Sequence, residues 1–328
     1  MNPSELRSTL ALAGIFGLRM LGLFLLLPVF SIHAKDLPGG DQALLIGLAL
    51  GIFNIVQACF HIPLGRLSDR IGRKKVVLWG LSLFVAGALI CATKDDLLWI
   101  AIGRGIMGAG AISAAVSAWV ADLTREQVRS QAMALVGVSI SLSFAVSLVV
   151  AAPLYRMMSL SGMFVVLAIL GLIAMVVAYF VLPNNKPEVH AQQESLKVVF
   201  LRPELMRLNI GVFVLNATQV AMFLVVPRLL EQAGFPLAAH WQIYLSVVLL
   251  SFVFMVPLLI YGEKKQRIRF VLLVAIILLV IAEFIFTQAS SVMLITVALL
   301  IYFVGFNLLE ALQPSLVTRY AKESKGTA

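Results

Sequence analysis

Ten long apolar segments separated by polar turns limit what this chain can become: residues 8–34, 42–63, 76–93, 97–121, 131–153, 160–182, 206–230, 239–261, 270–288 and 293–318. A helix needs roughly 20 apolar residues to cross the hydrocarbon layer of a bilayer. The chain is 61% hydrophobic and 12% charged, whereas a soluble domain has roughly 45–50% apolar and 25% charged residues. The expected fold is therefore an all-α polytopic membrane protein embedded in a lipid bilayer. The first segment is too long for the hydrophobic region of a signal peptide and is interrupted by Arg19, so it reads as a retained span.

The cations sort by side. Alternate turns carry Arg7; Arg66, Arg70, Arg73, Lys74 and Lys75; Arg125 and Arg129; Lys186, Lys197, Arg202 and Arg207; Lys264, Lys265, Arg267 and Arg269; and Arg319, Lys322 and Lys325. The opposite turns carry only Lys35, Lys94, Arg156 and Arg228. The positive-inside rule then puts both termini of this chain in the cytoplasm, together with the polar stretch 183–205, which contains three prolines. The net charge of +9 sets orientation and does not point to a nucleic-acid partner. The same stretch divides the chain into residues 1–182 with six spans, a cytoplasmic linker at 183–205, and residues 206–328 with four. A weak internal repeat agrees with two halves: FLLLP at 24–28 recurs as FLVVP at 223–227, and GRLSDR at 65–70 is echoed by GEKKQR at 262–267.

Several chemistries lack their residues. Cys59 and Cys91 fall in apolar segments, and the histidines His33, His61, His190 and His240 include no HExxH pair. Neither a disulfide framework nor a zinc or other metal site is indicated. No GxSG-like serine site and no GxxxxGK loop occurs, so an intramembrane enzyme and ATP-driven transport are both disfavoured. No cofactor is expected.

The turn GRLSDRIGRKK at 65–75 places one acid and five cations at a membrane boundary. It looks like the signature loop between spans 2 and 3 of the major facilitator superfamily, with Gly65, Leu67, Asp69, Arg70, Gly72, Arg73 and Lys74 on the pattern. Arg104 followed by GIMGAG resembles the Arg-and-Gly motif of span 4. Pro153 stands where the span-5 antiporter motif has Gly-Pro, although Ala151 and Ala152 replace its glycines. Along its length the chain is similar to the YajR-type drug/proton efflux transporters of bacteria.

That resemblance implies a secondary transporter of the bacterial inner membrane that works by alternating access, with protons and a small, lipophilic molecule as partners and a site near the midplane between two halves. It implies twelve spans, whereas this chain ends at KESKGTA, where span 11 would begin. The expectation is a six-span half plus an incomplete four-span half; the alternative is a truncated, non-transporting fragment or a partner subunit. In the family Asp69 would face the positive end of helix 11. Asp69, Arg70, Arg73 and Asp122 are expected to form a gate, and symport or uniport stays open beside antiport.

Ionisable groups inside spans are functional candidates by default. Four stand out: Arg19, Arg104, Glu283 and Glu310, two bases and two acids that could balance in a central cavity. Glu310 shares a helix face with Asn307 and Pro314 and is the first candidate for the coupling proton; Glu283 has apolar neighbours and reads equally as a peripheral contact. Asn54, Gln57 and His61 stand at i, i+3 and i+7 in span 2, a row that could line a pathway, with His61 as a relay or as a helix-to-helix hydrogen-bond donor. Asn216 and Gln219 in span 7 are further substrate contacts. Met20, Met107 and Met222 read either as adaptable cavity wall or as packing. Ser139, Ser143 and Ser147 form a small-residue stripe expected to pack closely against a neighbouring helix.

Overall fold

The computed structural model describes residues 1–183 and 203–320, and every regular element among them is helical. In chain order these are α1 (Pro3–Phe24), α2 (Leu27–His33), a 3-10 turn (Ala34–Asp36), α3 (Ala43–Ile71), α4 (Arg73–Thr93), α5 (Leu97–Ala109), α6 (Ser113–Leu123) and α7 (Glu126–Val181). After the undescribed stretch come α8 (Pro203–Gln232), α9 (His240–Lys264), α10 (Ile268–Gln288) and α11 (Val292–Tyr320), with a 3-10 turn (Leu237–Ala239) before α9. The 183–205 linker falls almost wholly outside the described residues, as do Lys322 and Lys325.

Among the described residues, nine helical stretches are long and apolar enough to cross a bilayer. One of them cannot be a single span: α7 has 56 residues, roughly 84 Å at 1.5 Å per residue, against a hydrocarbon core of about 30 Å. It breaks at Ser159, whose φ of 59° and ψ of −177° lie in a region that is essentially the preserve of glycine. Residues 126–158 and 160–181 are thus two spans, and the count among the described residues is ten. Two other crossings are interrupted. Span 1 is α1 followed by α2, with the break just ahead of Pro28. Span 4 is α5 followed by α6, and at the break Gly110 lies so close to the Gly80 carbonyl that a Cβ would run into it.

Local signals fix several ends. Asp96 caps α5 by accepting from the Leu98 and Trp99 amides at 2.7 and 3.4 Å, as N-cap acids do. Glu5 reaches back to the Asn2 amide at 2.6 Å and Pro3 takes the first helical position. Gly72, with φ of 100°, ends α3 and starts α4 with no intervening loop. Gly72→Ala is expected to lower the thermal midpoint of the purified protein, because a Cβ at that φ costs about 1–3 kcal/mol. Ser159→Gly should raise the midpoint by relieving the same kind of strain, and Gly14→Ala, with nothing within 4 Å of the added carbon, should leave it unchanged.

Two compact units emerge, residues 1–191 and 192–328. In the first, α7 packs along α1 and α4, and α5 packs on α3 and α4. Its centre is filled by fully buried Phe30, Phe53, Phe84, Trp119 and Phe164. In the second, α11 is the central helix and touches α8, α9 and α10. Large apolar side chains stay exposed along α10, among them Ile277, Val280 and Phe284, as a lipid-facing surface requires.

Candidate functional site

The signature turn builds a compact ion cluster. Gly72 brings α4 straight back from α3, so Arg73 stands beside the last turn of α3 and the end of α6. Its Nε donates to Asp122 Oδ2 at 3.1 Å and its Nη1 to Ser68 Oγ at 2.6 Å, and it also pairs with Asp69. Ser68 in turn donates to the Gly65 carbonyl at 2.6 Å. The Arg73 side chain is 13% exposed, against about a third for its two acids, which makes these the better-shielded ion pairs of the surface. Arg70 is exposed and makes no ion pair among the described residues.

Two neighbouring contacts had no sequence signal. Lys74 Nζ donates to the Tyr179 and Leu182 carbonyls at 2.7 and 2.8 Å, so a cation satisfies the orphan carbonyls at the end of α7. Arg125, just before α7, donates to Glu5 Oε1 at 2.8 Å, to Glu5 Oε2 at 3.2 Å and to Asn2 Oδ1 at 3.2 Å. That clasp joins the start of α1 to the start of α7, and the carboxylate holds the Arg125 guanidinium more firmly charged than usual.

Deeper in the same unit a polar row crosses from α1 to α6. Arg19, 1% exposed, donates from Nη2 to Gln57 Oε1 at 2.8 Å. His61 Nδ1 lies 3.2 Å from the Gln57 carbonyl, and His61 Nε2 meets Ser113 Oγ. A carbonyl only accepts, so Nδ1 carries the proton and Nε2 accepts from the Ser113 hydroxyl. Asn54 is half-buried one turn from Gln57. Arg104, fully buried, donates to the Ala49 and Leu50 carbonyls of α3 at 2.6 and 3.0 Å. The two guanidiniums lie 5.4 and 5.8 Å from the centroid of one ring, Phe53, an arrangement that stabilises a buried cation. The described acids of this unit, Glu5, Asp36, Asp41, Asp69, Asp95, Asp96, Asp122 and Glu126, all stand at helix ends or in turns. The two acids of the expected balance, Glu283 and Glu310, stand in the second unit.

The serine stripe packs as expected. Ser143 Oγ donates to the Gly17 carbonyl of α1 at 2.8 Å, and Ser147 is fully buried. Pro153 is exposed on the same limb of α7 while Ala151 and Ala152 are buried. Two residues on, Tyr155 lies 2.6 Å from His33 Nδ1. Met20, Met107 and Met222 are buried, so these thioethers fill the core and the wall reading fails for them.

In the second unit Asn307 donates to Ser251 Oγ at 2.8 Å, fastening α11 to α9. Glu310, one turn on, is exposed; a carboxylate at that depth persists only where it meets water or other protein. Glu283 is half-buried on α10 and its Oε1 has no hydrogen-bond partner among the described residues. Gln219 is 8% exposed, and Asn216 turns its amide back to the Val212 carbonyl at 2.9 Å. The side chain of Pro314 lies outside the described residues. No three His, Cys, Asp or Glu side chains gather into a metal-binding group among the described residues.

Helices of spanning length, a charged turn locked by one arginine and ionisable groups at membrane depth define a polytopic helical membrane protein of the transporter type. The chain belongs to the Major Facilitator Superfamily, whose model matches residues 12–328. It is 40% identical over 335 residues to the inner membrane transport protein YajR of Escherichia coli K12, covering 100% of this chain and 74% of that protein. It is 34% identical to an uncharacterized transporter of Buchnera aphidicola subsp. Acyrthosiphon pisum (97% of this chain, 83% of that protein). It is 26% identical to the multidrug resistance protein MdtH of Photorhabdus laumondii (81% and 67%). The crystal structure of a bacterial homologue of the human lysosomal transporter Spinster matches with a TM-score of 0.78 at 12% identity, over 100% of this chain and 78% of that one; this likeness is one of fold.

Proposed function

We propose that the chain is a proton-coupled secondary transporter of the bacterial inner membrane, with both termini of this chain cytoplasmic, that exports small lipophilic molecules by alternating access. Residues 1–182 and 206–328 are its two moving parts and 183–205 the cytoplasmic linker. The observation that carries this reading is the Arg73 cluster. One guanidinium ties Asp69, Ser68 and Asp122 together, a latch that is stable when closed and can be broken as one event. The names of two relatives, an inner membrane transport protein and a multidrug resistance protein, support transport of a small molecule. Gly65 and Gly72 shape the latch, and Arg70 stays in solvent to fix the orientation of the turn.

In the coupling step Glu310 takes up and releases the proton, alternately exposed to each side. Arg19, Arg104 and His61 set the field in which it does so, Glu283 is the reserve candidate, and Asn54, Gln57, Asn216, Gln219 and Asn307 meet the substrate. The test uses the full chain in proteoliposomes loaded with a pH-sensitive dye. Addition of ethidium or carboxyfluorescein should move protons, and Glu310→Gln should abolish that movement while leaving the protein folded. Undiminished proton movement in Glu310→Gln would remove this residue from the mechanism.

A further inference from the structure

We infer that the binding wall of the six-helix unit selects organic anions, a lipophilic weak acid being the fitting substrate class. This rests on the transporter reading above and adds the sign of the substrate's charge. The argument begins with Arg19 and Arg104, which are 1% and 0% exposed and remain charged in a protein. All their partners in this unit are neutral: the Gln57 amide oxygen, two helix carbonyls and the faces of Phe53 and Phe30. Arg19 Nε and Nη1 and Arg104 Nη1 are buried without an acceptor among the described residues. The described acids of the unit stand at helix ends and in turns, so no described acid of this unit lies beside the two guanidiniums to cancel their charge. Buried charge is poorly screened, and a low-dielectric wall carries its field to whatever binds there.

The second observation concerns which atoms that wall presents. Arg19 occupies Gln57 Oε1 at 2.8 Å, which fixes the orientation of the amide and turns its NH2 away from the guanidinium. Gln57 is half-buried and shares its face with half-buried Asn54 and His61. The imidazole Nε2 on this row is already used by the Ser113 hydroxyl. The row thus offers amide donors in a positive field, the combination that recognises a carboxylate or sulfonate and disfavours an ammonium or phosphonium group.

The test compares two ions of nearly equal size and opposite charge, tetraphenylborate and tetraphenylphosphonium, binding to the purified full chain in uncharged detergent. Binding is read by tryptophan quenching against protein-free micelles. The anion should bind at least about tenfold more tightly, equivalent to about 1.4 kcal/mol. Arg19→Gln should shrink the preference to within about twofold, and Arg19→Lys should retain most of it. The wild-type comparison stands alone if Arg19→Gln does not fold. Equal binding of both ions, or tighter binding of the cation, is the result of a carboxylate closing on Arg19; it overturns the anion assignment and leaves the transporter reading intact. Binding of neither ion to folded protein overturns both.

Discussion

Arg73→Ala should reduce transport at least about tenfold while leaving the protein folded, measured as dye movement per correctly folded molecule in proteoliposomes. The reason is that one side chain serves three partners. Its loss leaves Ser68 Oγ without its donor and removes one shared cation from beside Asp69 and Asp122. Hydrogen bonds to ionised groups are the stronger class, and here they join the end of α3, the start of α4 and the end of α6. A tenfold change corresponds to about 1.4 kcal/mol of bias between two conformations, which is a modest demand on such a cluster. Arg73→Lys should restore only part of the activity, since an ammonium lacks the planar fork that reaches Asp122 and Ser68 together. If Arg73→Ala transports as well as the native chain, the turn is a topology signal and not a latch.

Arg19→Met and Arg104→Met should separate function from stability. Replacing a buried charge with an apolar side chain of similar volume is often neutral or stabilising, and the groups that hold these guanidiniums are neutral. The Ala49 and Leu50 carbonyls keep their helix bonds when Arg104 is gone. The thermal midpoint is therefore expected to hold or rise while transport falls by at least about tenfold, the trade expected of residues retained for function at a cost in stability. A fall in midpoint with transport preserved would make both arginines structural.

Much of the fold was legible because the bilayer imposes one requirement, a long apolar helix, and the sequence meets it ten times. The turns were legible for the converse reason that charge is excluded from the core. What escaped was local. The break in span 4 follows from the approach of Gly110 to Gly80, which lies in another helix, whereas the break of the 56-residue α7 at Ser159 falls in the turn between the apolar segments 131–153 and 160–182. At the site, the Arg73–Asp122 pair was readable from the motif. Lys74 at the end of α7 and Glu5 with Arg125 were not, since each joins residues more than a hundred positions apart. Gln57 was assigned to the substrate row and Arg19 to a charge balance, and the structure joins the two in one hydrogen bond. The methionines show the limit of composition: their chemistry suits a pliable wall, but burial decides the matter and places them in the core.

The most direct measurement imposes a pH gradient across proteoliposomes containing the full chain and follows accumulation of carboxyfluorescein or ethidium with and without a protonophore. The proposed mechanism predicts accumulation of at least one dye several-fold over protein-free vesicles, collapse of that gradient on addition of the protonophore, and none in Glu310→Gln. Accumulation that survives the protonophore, or its absence in vesicles where the chain is folded and correctly inserted, would contradict proton-coupled transport by this protein.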